Sequence, residues 1–128
     1  MFLGLRTVIY PAPDLAASKE WYTAVLGTDP YFDAEFYVGF NVAGYELALD
    51  PDLEASVGPV TYWGVPDVAV ALATLLDAGA NDNEAVRDVG EGIRVATVRE
   101  PGGAVLGIIE NPHFQLEAPT PIATGPGR

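Results

Sequence analysis

Leu5-Arg6-Thr7-Val8-Ile9-Tyr10-Pro11-Ala12-Pro13-Asp14-Leu15 and Pro59-Val60-Thr61-Tyr62-Trp63-Gly64-Val65-Pro66-Asp67-Val68 are two copies of one pattern. Each is a run of β-branched and aromatic residues, the signature of a strand, closed by proline and followed by an aspartate where a helix N-cap belongs. After Asp14, the residues Leu15, Ser18, Trp21, Tyr22, Val25 and Leu26 recur at helical spacing until Gly27 supplies a stop. After Asp67, Val68, Ala71, Leu72, Leu75 and Leu76 do the same up to Ala78-Gly79. Asp67 follows Asp14 by 53 residues, and Val60 follows Thr7 by the same 53. The chain therefore contains an internal duplication.

Outward from these copies the text changes to short strands. In the first half two or three strands fit from Tyr31 to Leu49, with the runs Glu35–Val42 and, after the Ala43-Gly44 turn, Tyr45–Leu49; in the second they are Val86–Val89, Ile93–Arg99 and, after Glu100-Pro101-Gly102-Gly103, Ala104–Glu110. The polar stretch from Asp50 to Gly58 is the midpoint. Each half, about 4–50 and 59–111, reads as strand, helix and three strands, and is too small to bury a sheet face alone. The two must share a core, giving one α+β domain over 1–112 with a Pro/Gly-rich tail over 113–128.

The chain has 128 residues, with 6 basic against 18 acidic side chains and a net charge of −12. That balance argues against nucleic acid or an anionic membrane surface as partner, since both require clustered Lys or Arg, and it favours a cationic ligand. No cysteine is present, which excludes a disulfide framework, a thiolate nucleophile and Cys-ligated zinc. With no span-length apolar run and no basic, apolar leader at Met1–Arg6, the expected location is the cytoplasm.

Asp14-Leu15, Ser18, Trp21-Tyr22 and Val25-Leu26-Gly27, together with Arg99-Glu100-Pro101-Gly102-Gly103-Ala104-Val105-Leu106-Gly107-Ile108-Ile109-Glu110, resemble two hallmark segments of the vicinal oxygen chelate superfamily, the glyoxalase, bleomycin-resistance and dioxygenase group. Glu100 and Gly102 stand where that family has aspartates. The resemblance implies two tandem βαβββ modules forming a curved mixed sheet with a central cleft, the helices on the outer face. It also implies four inward positions that hold a metal in the family's enzymes, here Thr7, Glu46, Val60 and Gly107. Only Glu46 is a strong ligand, whereas a catalytic metal needs about three. The expectation is a site with no metal and no cofactor.

Strand alternation extends that inward set to Ile9, Ala48, Tyr62, Gly64, Val105 and Ile109, and adds Tyr37, Gly39 and Asn41 from the middle strand of the first half. The expected cleft lining is Thr7, Ile9, Tyr37, Asn41, Glu46, Val60, Tyr62, Val105 and Gly107, with Arg94 as a further handle on a strand whose face the pattern leaves open. Parity and helical spacing assign Trp63 and Trp21 to the core. His113, the single histidine, falls beyond the last strand.

Three functions fit. The first is metal-free binding of a small aromatic or cationic molecule, as bleomycin-resistance members do, in a homodimer whose second chain completes the groove. The second is a lyase, isomerase or dioxygenase with Glu46 as general base or metal ligand. The third is an interaction module with a vestigial cleft.

Overall fold

A computed structural model describes residues 1–116; the tail expected over 113–128 lies mostly outside the described residues. Strands β1 (Gly4–Pro11), β2 (Phe32–Ala34), β3 (Tyr37–Val42) and β4 (Tyr45–Asp50) with helix α1 (Leu15–Leu26) form the first module. Strands β5 (Val60–Gly64), β6 (Asn81–Gly90), β7 (Ile93–Arg99) and β8 (Val105–Glu110) with helix α2 (Val68–Asp77) form the second. The eight strands make one curved sheet in the order β2-β3-β4-β1-β5-β8-β7-β6. Within each module the first and last strands run parallel, and the modules join through antiparallel β1 and β5.

Both caps form as the aspartates require. Asp14 accepts from Ala17 N at 3.1 Å, and Gly27, at φ 70°, closes α1 by donating to Thr23 O at 3.0 Å. Asp67 accepts from Ala69 N at 2.9 Å and Val70 N at 3.2 Å. Two orphan amides depend on that one carboxylate, so Asp67→Ala is expected to cost about 1 kcal/mol in a denaturant titration.

The helices cover one face of the sheet. Leu15, Tyr22 and Leu26 of α1 pack on Ala12, Val38, Phe40 and Leu49, while Leu72 and Leu75 of α2 pack with Val68, Ala71, Val65, Ala96 and Ile108. On the other, concave face Val60, Tyr62 and Val95 are buried with Ile9, Leu53, Ile93, Val105 and Ile109 around them. Tyr10, Leu47, Val65 and Ile108, of opposite parity to the inward set, lie on the helix side, in agreement with strand alternation.

Three expectations change. Trp21 is 59% exposed on the outer side of α1 against the edge of Tyr22, because the helix contacts the sheet through Leu15, Tyr22 and Leu26. Trp63 is half-buried at the sheet end, stacked on Phe2. Strand β6 begins at Asn81 rather than Val86, since register breaks let polar Asn81–Ala85 pair with β7 without alternation.

Arg94 is the fourth change. Its neighbours Val95 and Ala96 divide between the concave and helix-side clusters, and Arg94 falls with Ala96 on the helix side. There it pairs with Glu110 at 3.1 Å and approaches Asp67 at 3.7 Å, so it braces the start of α2 and leaves the cleft lining. Val68 N donates to the same Glu110 carboxylate, and that bond, helped by Arg94, holds its pKa below the ordinary carboxylate value. Glu110 therefore contributes stability that is complete above the ordinary carboxylate pKa and is lost as pH falls through the depressed one. Thermal melts of Glu110→Gln are expected to fall less steeply across that acid window than those of the unaltered chain.

Candidate functional site

One cross-strand row runs through seven of the strands on the concave face. Asn41 pairs with Glu46, Glu46 with Thr7, Thr7 with Tyr62, Tyr62 with Gly107, Gly107 with Thr97, and Thr97 with Glu84. Directly paired residues share a face, so these side chains line up across the floor. The row is polar at both ends. Beside it lie the apolar Ile9, Val60, Val105 and Ile109.

Glu46 is the centre of the first wing. Its Oε1 accepts from Thr7 Oγ1 at 3.2 Å and from the Tyr37 hydroxyl at 2.7 Å, and its Oε2 accepts from the Tyr31 hydroxyl. Thr7 is only 6% exposed and Glu46 half-buried, whereas Tyr31 lies at the rim. Burial first, and then the hydrogen bond and negative charge of Glu46, push the Tyr31 and Tyr37 hydroxyls well above the ordinary tyrosine value. Both stay protonated and remain donors. Among the described residues no Lys, Arg or His stands within ion-pair distance of Glu46.

Gly39 makes room for this arrangement. A Cβ there would stand 2.7 Å from Glu46 Oε2 and 3.0 Å from Tyr31 Cε1. Tyr31 N donates to Gly39 O at 2.9 Å, which draws the loop before β2 over the sheet and brings the ring to the carboxylate. Phe32 meets Phe36 and Tyr37 edge-on, each at 6.0 Å between centroids, so the rim of this wing is aromatic.

The second wing gathers around Thr97, which is 2% exposed. Its Oγ1 receives Asn83 Nδ2 at 2.8 Å and Glu84 N at 3.1 Å, and donates to Glu84 Oε1 at 3.1 Å. Tyr62 is buried between the wings. Burial raises its hydroxyl pKa, the charge of Glu84 adds to the rise, and Arg87 opposes it.

Of the expected lining, Thr7, Tyr37 and Glu46 meet in one hydrogen-bonded group, and Tyr62 and Gly107 follow in the same row. Ile9, Val60 and Val105 form the apolar ground beside it. Asn41 is in the row, but its Oδ1 accepts from Gly44 N at 2.9 Å and is spent on the β3–β4 turn. Arg94 is elsewhere, as above, and His113 lies at the surface with Nε2 2.9 Å from Glu91 O. Tyr31, Glu84, Arg87 and Thr97 escaped the sequence reading. Tyr31 precedes its strand, where alternation assigns no face, and the only hint of it was the small Gly39.

The metal site implied by the family resemblance is not matched by these side chains. Val8 pairs with Leu47 and Thr61 with Leu106, so within the duplication Glu46 corresponds to Val105, and Gly107 to Ala48. The positions Thr7, Glu46, Val60 and Gly107 are therefore not one symmetric set. At Gly107 the space of a side chain is already filled: a Cβ would stand 2.6 Å from Tyr62 Cδ2 and 2.8 Å from Thr61 O. Val60 offers no donor, and among the described residues no group of three His, Cys, Asp or Glu converges. One carboxylate and one hydroxyl remain, short of the set a divalent ion needs.

Two hollows of the surface flank α1, between Ala16, Lys19 and Asp29 on one side and Leu15, Asp33 and Val38 on the other. Both are shallow and neither touches the concave face. Among the described residues no helix is long and apolar enough to cross a membrane.

No family model matches the sequence, and no curated protein matches it either. Solved structures do match. A glyoxalase/bleomycin resistance protein/dioxygenase superfamily member from Vibrio splendidus superposes with TM-score 0.65 at 16% identity, covering 83% of this chain and 97% of its own. A single-residue variant of Streptomyces coelicolor methylmalonyl-CoA epimerase, in complex with 2-nitronate-propionyl-CoA, gives TM-score 0.68 at 18% identity over 93% of this chain and 100% of its own. The Mycobacterium tuberculosis epimerase gives 0.65 at 20% identity over 92% and 90%. At such identities the likeness is one of architecture, and it agrees with the strand order and duplication described above: the chain has the vicinal oxygen chelate fold of the glyoxalase/bleomycin resistance/dioxygenase superfamily.

Proposed function

We propose that this protein binds a small aromatic cation on its concave face without a metal, in the manner of a sequestering protein. The observation that carries the reading is Glu46, a half-buried carboxylate held by three hydroxyls with no basic side chain within ion-pair distance among the described residues. Hydroxyls satisfy its hydrogen bonding but leave its charge uncompensated. Oε1 already accepts twice and Oε2 once, so one acceptor direction of Oε2 is open, beside the Tyr31 ring. A ligand ammonium placed there gains a charge-assisted hydrogen bond and the nearby aromatic faces.

The enzyme reading, with Glu46 as general base, has less support from the same geometry. Both acceptor directions of Oε1 are taken, and Tyr31 stands over Oε2. This is an arrangement for countering a charge. The epimerase activity of the fold neighbours is therefore not carried over to this chain.

The test compares benzylamine with its neutral isostere benzyl alcohol by isothermal titration at neutral pH. Benzylamine is expected to bind at least tenfold more tightly, the worth of one hydrogen bond between charged groups. Equal affinities, or no binding of either, overturn the reading. Native mass spectrometry of the same sample checks the homodimer that this reading includes, in which a second chain covers the open floor.

A further inference from the structure

We propose that the second wing of the concave face is a carboxylate subsite, in which Arg87 and the Tyr62 hydroxyl receive a monoanionic carboxylate of a small ligand. The proposal rests on reading this face as a ligand floor, but it does not depend on Glu46.

Strand β6 is broken in a way that aims Arg87 inward. Glu84 pairs with Thr97 and Arg87 with Val95, so three residues on β6 span two on β7, with a register shift between them. Val95 belongs to the concave cluster with Tyr62, and Thr97 bonds Glu84 directly, so Glu84 and Arg87 are on the concave face while Val86 packs under α2. Regular alternation would have put Glu84 and Arg87 on opposite faces. Bulges commonly re-aim a side chain in this way next to a site.

Among the described residues the other Lys and Arg side chains have contacts away from Tyr62, on which Arg87 acts. Arg6 lies 3.7 Å over the Phe114 ring, Lys19 pairs with Asp33, Arg94 pairs with Glu110, and Arg99 donates to Gly103 O at 2.9 Å. Among the described residues Arg87 has no ion pair, in a chain with 18 acidic side chains. Glu84, the carboxylate nearest to it in sequence on this face, is engaged by Thr97. The guanidinium lies close enough to the Tyr62 hydroxyl to act on its ionisation. Together they present a planar fork and a neutral O–H, which suit the two oxygens of a carboxylate. Glu84 and Asp50 also act on that hydroxyl, and their negative charges weigh more against a dianion such as phosphate than against a monoanion.

The test titrates the full chain with benzoate, inorganic phosphate and benzylamine, comparing wild type with Arg87→Ala and Arg87→Lys. Benzoate is expected to bind wild type, to lose tenfold or more in affinity in R87A, and to recover part of it in R87K. Benzylamine is expected to move the opposite way in R87A and bind somewhat more tightly, because a like charge has left the face. A structural role for Arg87 would weaken both. Benzoate binding that is absent in wild type or unchanged in R87A overturns the proposal, as does phosphate binding as tight as benzoate. If benzoate binds through Arg87 while benzylamine does not bind at all, the subsite stands and the cation reading of Glu46 falls.

Discussion

Glu46→Gln is expected to remove benzylamine binding, with affinity falling by roughly ten- to a hundredfold as a charge-assisted contact becomes a neutral one. The substitution preserves shape, so Thr7, Tyr31 and Tyr37 still have a carbonyl oxygen to approach. It removes the charge and turns one acceptor into a donor facing hydroxyls. The fold should survive, because the site lies on the concave surface and not in the helix-side clusters. Titration of E46Q with benzylamine and benzyl alcohol reads the two effects apart. The neutral ligand should bind the variant as it binds the unaltered chain, and retained preference for the amine would show that the carboxylate is not its partner.

Gly107→Ala is expected to destabilise the chain by about 1–3 kcal/mol, the cost of forcing atoms into a filled site. The new methyl would stand 2.6 Å from Tyr62 Cδ2 and 2.8 Å from Thr61 O, and only the first of these belongs to a side chain able to turn. Its counterpart in the first module, Ala48, carries a methyl group at 0% exposure, so the duplication itself tolerates one at this place. The difference is made by Tyr62. In a double-mutant cycle read by chemical denaturation, G107A should therefore cost less in a Tyr62→Ala background than in the unaltered chain, but still something, since the Thr61 carbonyl remains. An unperturbed G107A would mean that the floor has room for a side chain here, and would reopen the question of a ligand set at this position.

The two variants bear on one proposal, that the concave face is a binding floor and not an emptied metal centre. A site that had merely lost its ligands would have a void where the side chains had been. Here the Tyr62 ring occupies the space over Gly107, and Glu46 has been enclosed by three hydroxyls, two of them from tyrosines. The proposed Arg87 subsite would add a positive charge beside this row, whose own two charged members, Glu46 and Glu84, are both acidic.

Much of the fold was legible in the residues. The proline-aspartate junctions at 13–14 and 66–67 set strand ends and caps, and glycine closed α1, because these are local conformational facts that no distant contact has to supply. The duplication and the strand parity placed Thr7, Ile9, Tyr37, Glu46, Val60, Tyr62, Val105 and Gly107 on one face, since period-2 alternation is a property of the backbone itself. What only the tertiary structure decided lies where alternation fails or has no hold. The bulges of β6 turned Glu84 and Arg87 to the same side, the loop before β2 carried Tyr31 over Gly39, and the bracing of α2 took Arg94 away from the cleft. Each depends on a partner distant in sequence, namely Thr97 and Val95, Glu46, and Glu110, and such pairings are fixed only when the sheet closes.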